Sequence, residues 1–282
     1  MVLDVAMKRS SRKQVQKSPV ITPQFREVTR GSVNERHVFI DNRPDPQYRY
    51  HMEKNPRRAQ ELEAISNAWV QRRVPVQKVL LRKGPFVLLD YIAGETLEGK
   101  RLTGGQIAEM ARMVAKMHSA HIPLKIQVPK IETVFNRIKE RTRILEQERF
   151  LTASQANRLR TFFLTHAATR LPLVLSHNDL ARDNIVTRKG KLVAIDIGDA
   201  GISFRDFELW RTMTKLKLTP QQQARFISEY KRNGGNTNEF TQTQQFWKPY
   251  ALFLALYSHR NRRPKKEIKE LTQEIFASLP KK

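Results

Sequence analysis

Apolar and polar positions alternate along the first third of the chain and then recur every three or four residues. The run "FREVTRGSVNERHVFIDN", from Phe25, reads as two strands around a turn at Gly31 and Ser32, "RPDP" is a turn signal, and "QYRYHME" is a third β-prone run. Between Arg57 and Trp69 the period changes, with Ala59, Leu62, Ile65 and Trp69 on one side of a helix. "VPVQKVLL" and "GPFVLLDYI" supply two more strands. A small antiparallel sheet carrying one helix is therefore predicted over residues 21–93.

From "LTGGQIAEMARMVAKMHSAHIP" onward the pattern is mostly helical. Ile107, Met110, Ala111, Val114 and Met117 trace a buried stripe, and the methionines read as core. One helical stretch is expected from about Ile131 to His166, and more from Phe204 to Leu279, with Pro220 starting one helix and Gly234-Gly235 breaking the next. The change of pattern puts a hinge near Tyr91 to Gly94. The class is α+β, with a sheet lobe over 21–93, a helical lobe over 94–282 and a loose basic tail over 1–20.

Composition narrows the chemistry. Cysteine is absent, which excludes disulfides, a thiolate nucleophile and Cys-based zinc sites and is compatible with a reducing compartment. At the start, basic residues follow a brief apolar run instead of preceding a long one, unlike a secretory signal. The longest apolar run, Tyr250 to Tyr257, falls short of the ~20 residues of a spanning helix. The expectation is a cytoplasmic protein, soluble or peripheral at a membrane face. Against 27 Asp and Glu stand 52 Lys and Arg, a net charge of +25. Such a field attracts nucleic acid, acidic lipid headgroups or anionic glycans.

The stretch "SHNDLARDNIVTRKGKLVAID", Ser176 to Asp196, concentrates polar groups around two short apolar runs. Leu173 to Leu175 leads as a strand into His177, and "NIVT" and "KLVAID" form a hairpin about Arg188 to Lys191. In that register Thr187 faces Leu192 and Asn184 faces Ile195. Asn184 and Asp196 then meet at the open end, where paired strands are ~5 Å apart. An amide oxygen and a carboxylate at that spacing suit Mg²⁺ and leave room for substrate phosphates. Asp179, on the entering loop, can orient a hydroxyl nucleophile, so the set meets the needs of phosphoryl transfer.

His177, Asp179 and Asn184 match the kinase catalytic-loop spacing H-x-D-x-x-x-x-N, and Asp196 after "LVAI" matches the metal-binding aspartate that follows it. With "HNDLARDN", "AIDIGDAG", "VLLDYIAGETL", "MARMVAKMHSAHIP" and "SFRDFELWR", the chain resembles the aminoglycoside phosphotransferase and choline kinase branch of the protein-kinase-like superfamily, including its lipopolysaccharide core sugar kinases. The likeness spans roughly Arg26 to Tyr230. It implies a two-lobed protein-kinase-like fold with a small antiparallel-sheet N-lobe, a mostly helical C-lobe, and ATP with Mg²⁺ between them. Carried over residue by residue, it makes Asp179 the catalytic base or hydroxyl-orienting carboxylate and Asn184 and Asp196 the metal ligands. His177 would pack and hydrogen-bond the loop, and Asp206 would brace it. Asp183 and Asp199 face a second metal or solvent; Arg182 reaches the transferred phosphate or is a surface arginine. In the N-lobe, Arg49 is the candidate for the α- and β-phosphates, with Lys54 as alternative, and Glu63 or Glu61 is its partner. Gly31 and Ser32 would cover the phosphates, and Asp90, Tyr91 and Ile92 would form the hinge edge of the nucleotide site.

The acceptor is open at this level. Residues Arg211 to Lys282 hold 15 Lys and Arg against 5 Asp and Glu, which disfavours cationic aminoglycosides and favours an anionic acceptor, foremost a lipopolysaccharide-type glycan or glycolipid at an anionic membrane surface. RNA is the alternative polyanion, though no base-stacking platform stands out. An aminoglycoside- or choline-type small-molecule kinase and a pseudokinase or nucleotide-regulated binding protein are the other readings. Protein phosphorylation is disfavoured, because Asp196 is followed by Asp206 after only ten residues.

Overall fold

The computed structural model describes residues 25–29, 37–41, 48–53, 55–123, 126, 130–165, 172–238 and 240–279. Strands β1 (Phe25–Thr29), β2 (His37–Asp41) and β3 (Tyr48–Met52) are followed by helix α1 (Pro56–Gln71) and strands β4 (Val79–Lys83) and β5 (Phe86–Asp90). They form one antiparallel sheet in the order β1-β2-β3-β5-β4, so β5 lies between β3 and the edge strand β4. Strict alternation in β5 buries Val87 and Leu89, and α1 buries Ala59, Leu62, Ile65 and Trp69. Asn55 caps α1 by accepting from the Arg57 amide at 2.9 Å, and Pro56 occupies the first turn, where a missing N–H costs nothing. Only the second half of "VPVQKVLL" enters the sheet. Its first half instead buries Val74 and Val76, and Val76 bridges to Ala194.

The helical part holds α2 (Gly104–His118), α3 (Ile131–Gln147), α4 (Ala153–Thr165), α5 (Arg205–Lys215), α6 (Pro220–Arg232), α7 (Phe240–His259) and α8 (Lys265–Ser278). The single helix expected from Ile131 to His166 is two. Arg149 turns left-handed (φ 61°), the Phe150 and Leu151 amides fold back on the Leu145 carbonyl, and Thr152 and Gln155 cap α4. Phe163, Phe246, Trp247, Tyr250 and Phe253 form an aromatic core with ring centroids 4.7 to 6.4 Å apart. Among the described residues no helix is long and apolar enough to cross a membrane.

Between sheet and helices run five short strands: β6 (Glu95–Thr96), β7 (Leu173–Ser176), β8 (Ile185–Arg188), β9 (Lys191–Ala194) and β10 (Gly201–Phe204). β10 pairs antiparallel with β7, and β6-β8-β9 form a three-stranded sheet. The sequence pattern does not signal β6 or β10. The architecture is a two-lobed protein-kinase-like α+β fold.

Candidate active site

The β8–β9 hairpin turns at Lys189 (φ 49°) and Gly190 (φ 74°), the two positive φ angles that let a two-residue turn follow the strand twist. Its register pairs Thr187 with Leu192 and Ile185 with Ala194, and the Ile195 amide donates to the Asn184 carbonyl at 2.9 Å. Asp196 follows at once in a left-handed conformation (φ 59°, ψ 55°), which Asp tolerates better than bulkier residues. Asn178, at the other end of the loop, is also left-handed (φ 60°) and donates through Nδ2 to the Asp199 carbonyl at 3.2 Å. Two short polar residues in this conformation thus turn the chain into and out of the site.

Asp179 is held from two sides. Asn184 Nδ2 donates to its carbonyl at 2.8 Å and to Oδ2 at 3.0 Å, and the Lys215 ammonium, at the C-terminal end of α5, contacts Oδ1. Both side chains of the Lys215–Asp179 pair are 31% exposed, so the pair lies at the rim of the protein interior. Burial pulls the Lys215 ammonium down to about 8 from its usual 10.5. Lys215 was not singled out from the sequence, because "TMTKLKL" offers only one basic residue among several near a helix end.

Asp196 faces Arg49 across the cleft, Nη2 to Oδ2 3.5 Å, and the buried Arg49 Nε has no hydrogen-bond acceptor among the described residues. Glu63, expected as the partner of Arg49, instead accepts from Arg82 Nε at 2.7 Å. The sheet order explains this: β4 runs beside α1 at the edge, and Arg82 on it meets Glu63 before β3 can. Glu61 accepts from Arg58 at 3.3 Å and faces Arg57 at 3.5 Å. Gly31, Ser32 and Lys54 lie outside the described residues.

A second residue absent from the sequence reading is Gln77. Buried, it donates through Nε2 to the Asp90 carbonyl at 2.7 Å and accepts from the Asp196 amide at 3.1 Å, joining the end of β5 to Asp196 through one amide. Asp90 is consumed by this framework, since its carboxylate accepts from the Lys78 amide and its own amide donates to the Lys78 carbonyl at 3.0 Å. Burial outweighs that bond and raises the Asp90 carboxyl above its usual range. The backbone groups of Tyr91 and Ile92 make no backbone hydrogen bond among the described residues.

His177 is buried, donates through Nε2 to the Ile195 carbonyl at 2.9 Å and stacks on Trp69 at 6.5 Å. Burial pulls it to about 4, so it is a neutral strut of the loop. Asp206 accepts from Arg205 at 2.6 Å and from the Thr243 hydroxyl at 2.5 Å, bracing α7. Contact with the loop comes from buried Glu208, which faces the Ser176 hydroxyl and the Asn178 amide and whose carboxyl burial pushes up. Arg182 is engaged by backbone: Nε and Nη2 donate to the Leu216 carbonyl at 2.8 and 2.6 Å, and Nη1 to the Lys100 carbonyl at 3.0 Å. Asp183 is exposed and Asp199 half-buried.

Asn184 and Asp196 offer one amide oxygen and one carboxylate, and the Asn184 amide nitrogen is committed to Asp179. No group of three His, Cys, Asp or Glu that could hold a metal gathers among the described residues. The donor set fits Mg²⁺ completing its shell with nucleotide phosphates and water, and does not fit a closed protein-only metal cage.

A sequence profile described as "Phosphotransferase enzyme family" matches residues 30–250. No curated protein matches. The fold is similar to that of ADP-bound aminoglycoside phosphotransferase APH(2'')-Ib, with a TM-score of 0.59 and 18% identity over 92% of this chain and 94% of that one. It is also similar to a choline/ethanolamine kinase family protein from Mesorhizobium loti, with a TM-score of 0.62 and 16% identity over 92% and 89% of the two chains. For choline kinase from Cryptosporidium parvum the TM-score is 0.59, with 14% identity over 91% and 88%. Matched by the family profile over most of its length, the chain belongs to the phosphotransferase enzyme family and is an ATP-dependent phosphotransferase acting on hydroxyl groups.

Proposed function

We propose that the enzyme moves the γ-phosphoryl group of Mg-ATP to a hydroxyl of an anionic acceptor, a sugar of a lipopolysaccharide-type glycan or glycolipid. The observation that carries this reading is the chain of contacts Lys215–Asp179–Asn184 beside the Asp196–Arg49 pair. Asp179 accepts the hydrogen bond of the acceptor hydroxyl and aims its oxygen lone pair at the γ-phosphorus. As the new O–P bond forms and the bond to ADP breaks, the hydroxyl proton passes to Asp179. Arg49, whose buried Nε–H has no acceptor among the described residues, turns from Asp196 to the α- and β-phosphates, and Tyr91 and Ile92 present backbone groups to the base. Lys215 counters the negative charge gathered around Asp179 and the moving phosphoryl group. Held by Asn184 and Asp196, Mg²⁺ would neutralise the phosphate oxygens.

The acceptor class is supported by charge. His259, at the end of α7, is lowered first by burial and then by Arg263, Lys215, Lys217 and Arg262, so the turn after α7 adds its cations to those beside Asp179. Arg260 is otherwise engaged, bonded to Glu148 at 2.6 Å and stacked on Tyr257 at 4.1 Å. Incubation of the enzyme with γ-labelled ATP, Mg²⁺ and separated glycolipid, RNA, protein and small-molecule cell fractions tests the proposal. Label should enter glycolipid; labelling of RNA alone, or efficient phosphorylation of an aminoglycoside, would overturn the acceptor assignment.

A further inference from the structure

Beside the catalytic loop lies an open recess of about 590 Å³ lined by Lys100, Arg101, Arg182, Lys217, Thr219 and Gln222 with two apolar neighbours. None of its lining residues is acidic, and four are cations. We infer that this recess is a phosphomonoester site, which holds a phosphate already present on the acceptor while the acceptor's hydroxyl is presented to Asp179. The inference rests on the phosphotransferase reading of Asp179 and names the acceptor's second recognition group.

Three observations carry it. First, the recess is rigidly built around Arg182. Three of its N–H groups are fixed on the Leu216 and Lys100 carbonyls, which ties the Lys100 and Lys217 segments together and leaves two of its five N–H donors for a ligand. Second, its positive charge is largely uncompensated. Lys100 meets Glu95 at the rim at 2.6 Å, whereas Arg101 and Lys217 make no ion pair among the described residues. A Cβ at Gly104 would overlap the Arg225 guanidinium, so a further cation lies across the first turn of α2. The α2 and α6 N-termini, capped by Thr103 and Thr219, open on the same region and add the positive ends of their dipoles.

Third, the recess is within reach of the chemistry. Arg182 follows Asp179 by three residues and Lys217 follows Lys215 by two, separations of at most about 11 and 7 Å along the chain. A molecule with a hydroxyl and a phosphate a few bonds apart, such as a sugar phosphate, spans both. Two cations that could grip a dianion, on a frame shared with the catalytic loop, would also penalise the cationic acceptors that an acidic pocket selects.

The test uses the full chain with its nucleotide site saturated by Mg²⁺ and a non-hydrolysable ATP analogue, so that added phosphate cannot occupy it. Binding of inorganic phosphate and of glucose 1-phosphate is measured by calorimetry. Arg101→Glu with Lys217→Glu should weaken both by about tenfold or more, the effect of losing one charge-assisted hydrogen bond. Lys139→Glu with Lys269→Glu makes the same change of net charge on exposed faces of α3 and α8 and should weaken both less than about twofold, since remote exposed charges are screened. Vesicles of phosphatidylcholine with and without phosphatidate separate a lipid-borne phosphomonoester from a soluble one: recess-dependent binding in either arm supports the site and identifies its source. No phosphate binding in any arm, equal losses in the two double variants, or binding only of an RNA oligonucleotide would overturn it. ATP hydrolysis by the Arg101→Glu/Lys217→Glu protein is followed in parallel. If it persists while phosphate binding fails, the recess is wrong and the phosphotransferase reading stands; if the wild type binds phosphate but transfers to no acceptor, the reverse holds.

Discussion

Replacing Lys215 by Met removes the cation that touches Asp179 while preserving most of the side chain's volume. Two opposing terms set the stability change. The attraction to Asp179 favours the charged pair, and the burial that lowers the ammonium from 10.5 to about 8 opposes it. With both side chains 31% exposed and screened by solvent, the balance is that of a surface pair, about 0 to 1 kcal/mol. Lys215→Met should therefore shift Tm by less than about 5 °C.

Turnover should respond very differently. A charge-assisted hydrogen bond that supports the reacting carboxylate contributes about 2 to 3 kcal/mol, so kcat should fall about 30- to 150-fold with little change in the KM for ATP. The pH profile separates chemistry from scaffolding. Lys215 is charged below about 8, so wild-type kcat/KM should decline as pH rises through that value. Lys215→Arg, which stays charged, should recover much of the rate and carry the alkaline limb to higher pH. An alkaline limb unmoved in Lys215→Arg, or a Lys215→Met enzyme with near-normal kcat, would refute the assignment.

How much of this site the sequence reveals follows from how local each contact is. His177, Asp179, Asn184 and Asp196 lie on one loop and one hairpin, where the turn at Lys189-Gly190 and the period of two fix who faces whom. Lys215 and Gln77 reach the same place from 36 and 119 residues away, and no spacing rule connects "TMTKLKL" or "VPVQKVLL" to that hairpin. The Glu63 partnership failed for a related reason. Helical period tells which face of α1 is buried, but only the sheet order reveals that β4 intervenes. The break between α3 and α4 is hidden because it contains neither Gly nor Pro and rests on a left-handed Arg149, a conformation the residue type disfavours. Recognition of the fold survives these misses because the sheet, the hinge pattern and the loop signature are independent of one another.

Three further outcomes are expected. Asp179→Asn should abolish transfer while leaving Mg-ATP affinity largely intact, and Asp196→Asn should weaken metal and nucleotide binding as well, as calorimetry and single-turnover assays would show. His177 and His118, pulled by burial to about 4 and about 3 from 6.5, are neutral in the fold but protonated in the unfolded chain below 6.5. Stability present above 6.5 should thus be lost by several kcal/mol as pH falls toward 4, a loss that His177→Asn lessens; urea titrations at pH 7 and 4.5 check it. Gly94 offers the sharpest link between fold and catalysis. Its φ of 154° is a backbone conformation that L side chains rarely adopt, and an added Cβ would overlap the Thr187 carbonyl and the Val186 side chain. Both belong to β8, which pairs with β6 through Glu95–Thr187 and Thr96–Val186 and begins directly after Asn184. Gly94→Ala should push β8 away, costing about 2 to 4 kcal/mol through strain and overpacking. Because β8 fixes Asn184 against Asp179, kcat should fall along with stability. Gly84→Ala is the control: its φ of 59° lies in the left-handed region that an L residue can still enter, and open space surrounds it, so it should cost about 1 kcal/mol and leave kcat alone. A Gly94→Ala enzyme no worse than Gly84→Ala in both denaturant midpoint and turnover would mean that the β6–β8 contact does not hold Asn184 in place.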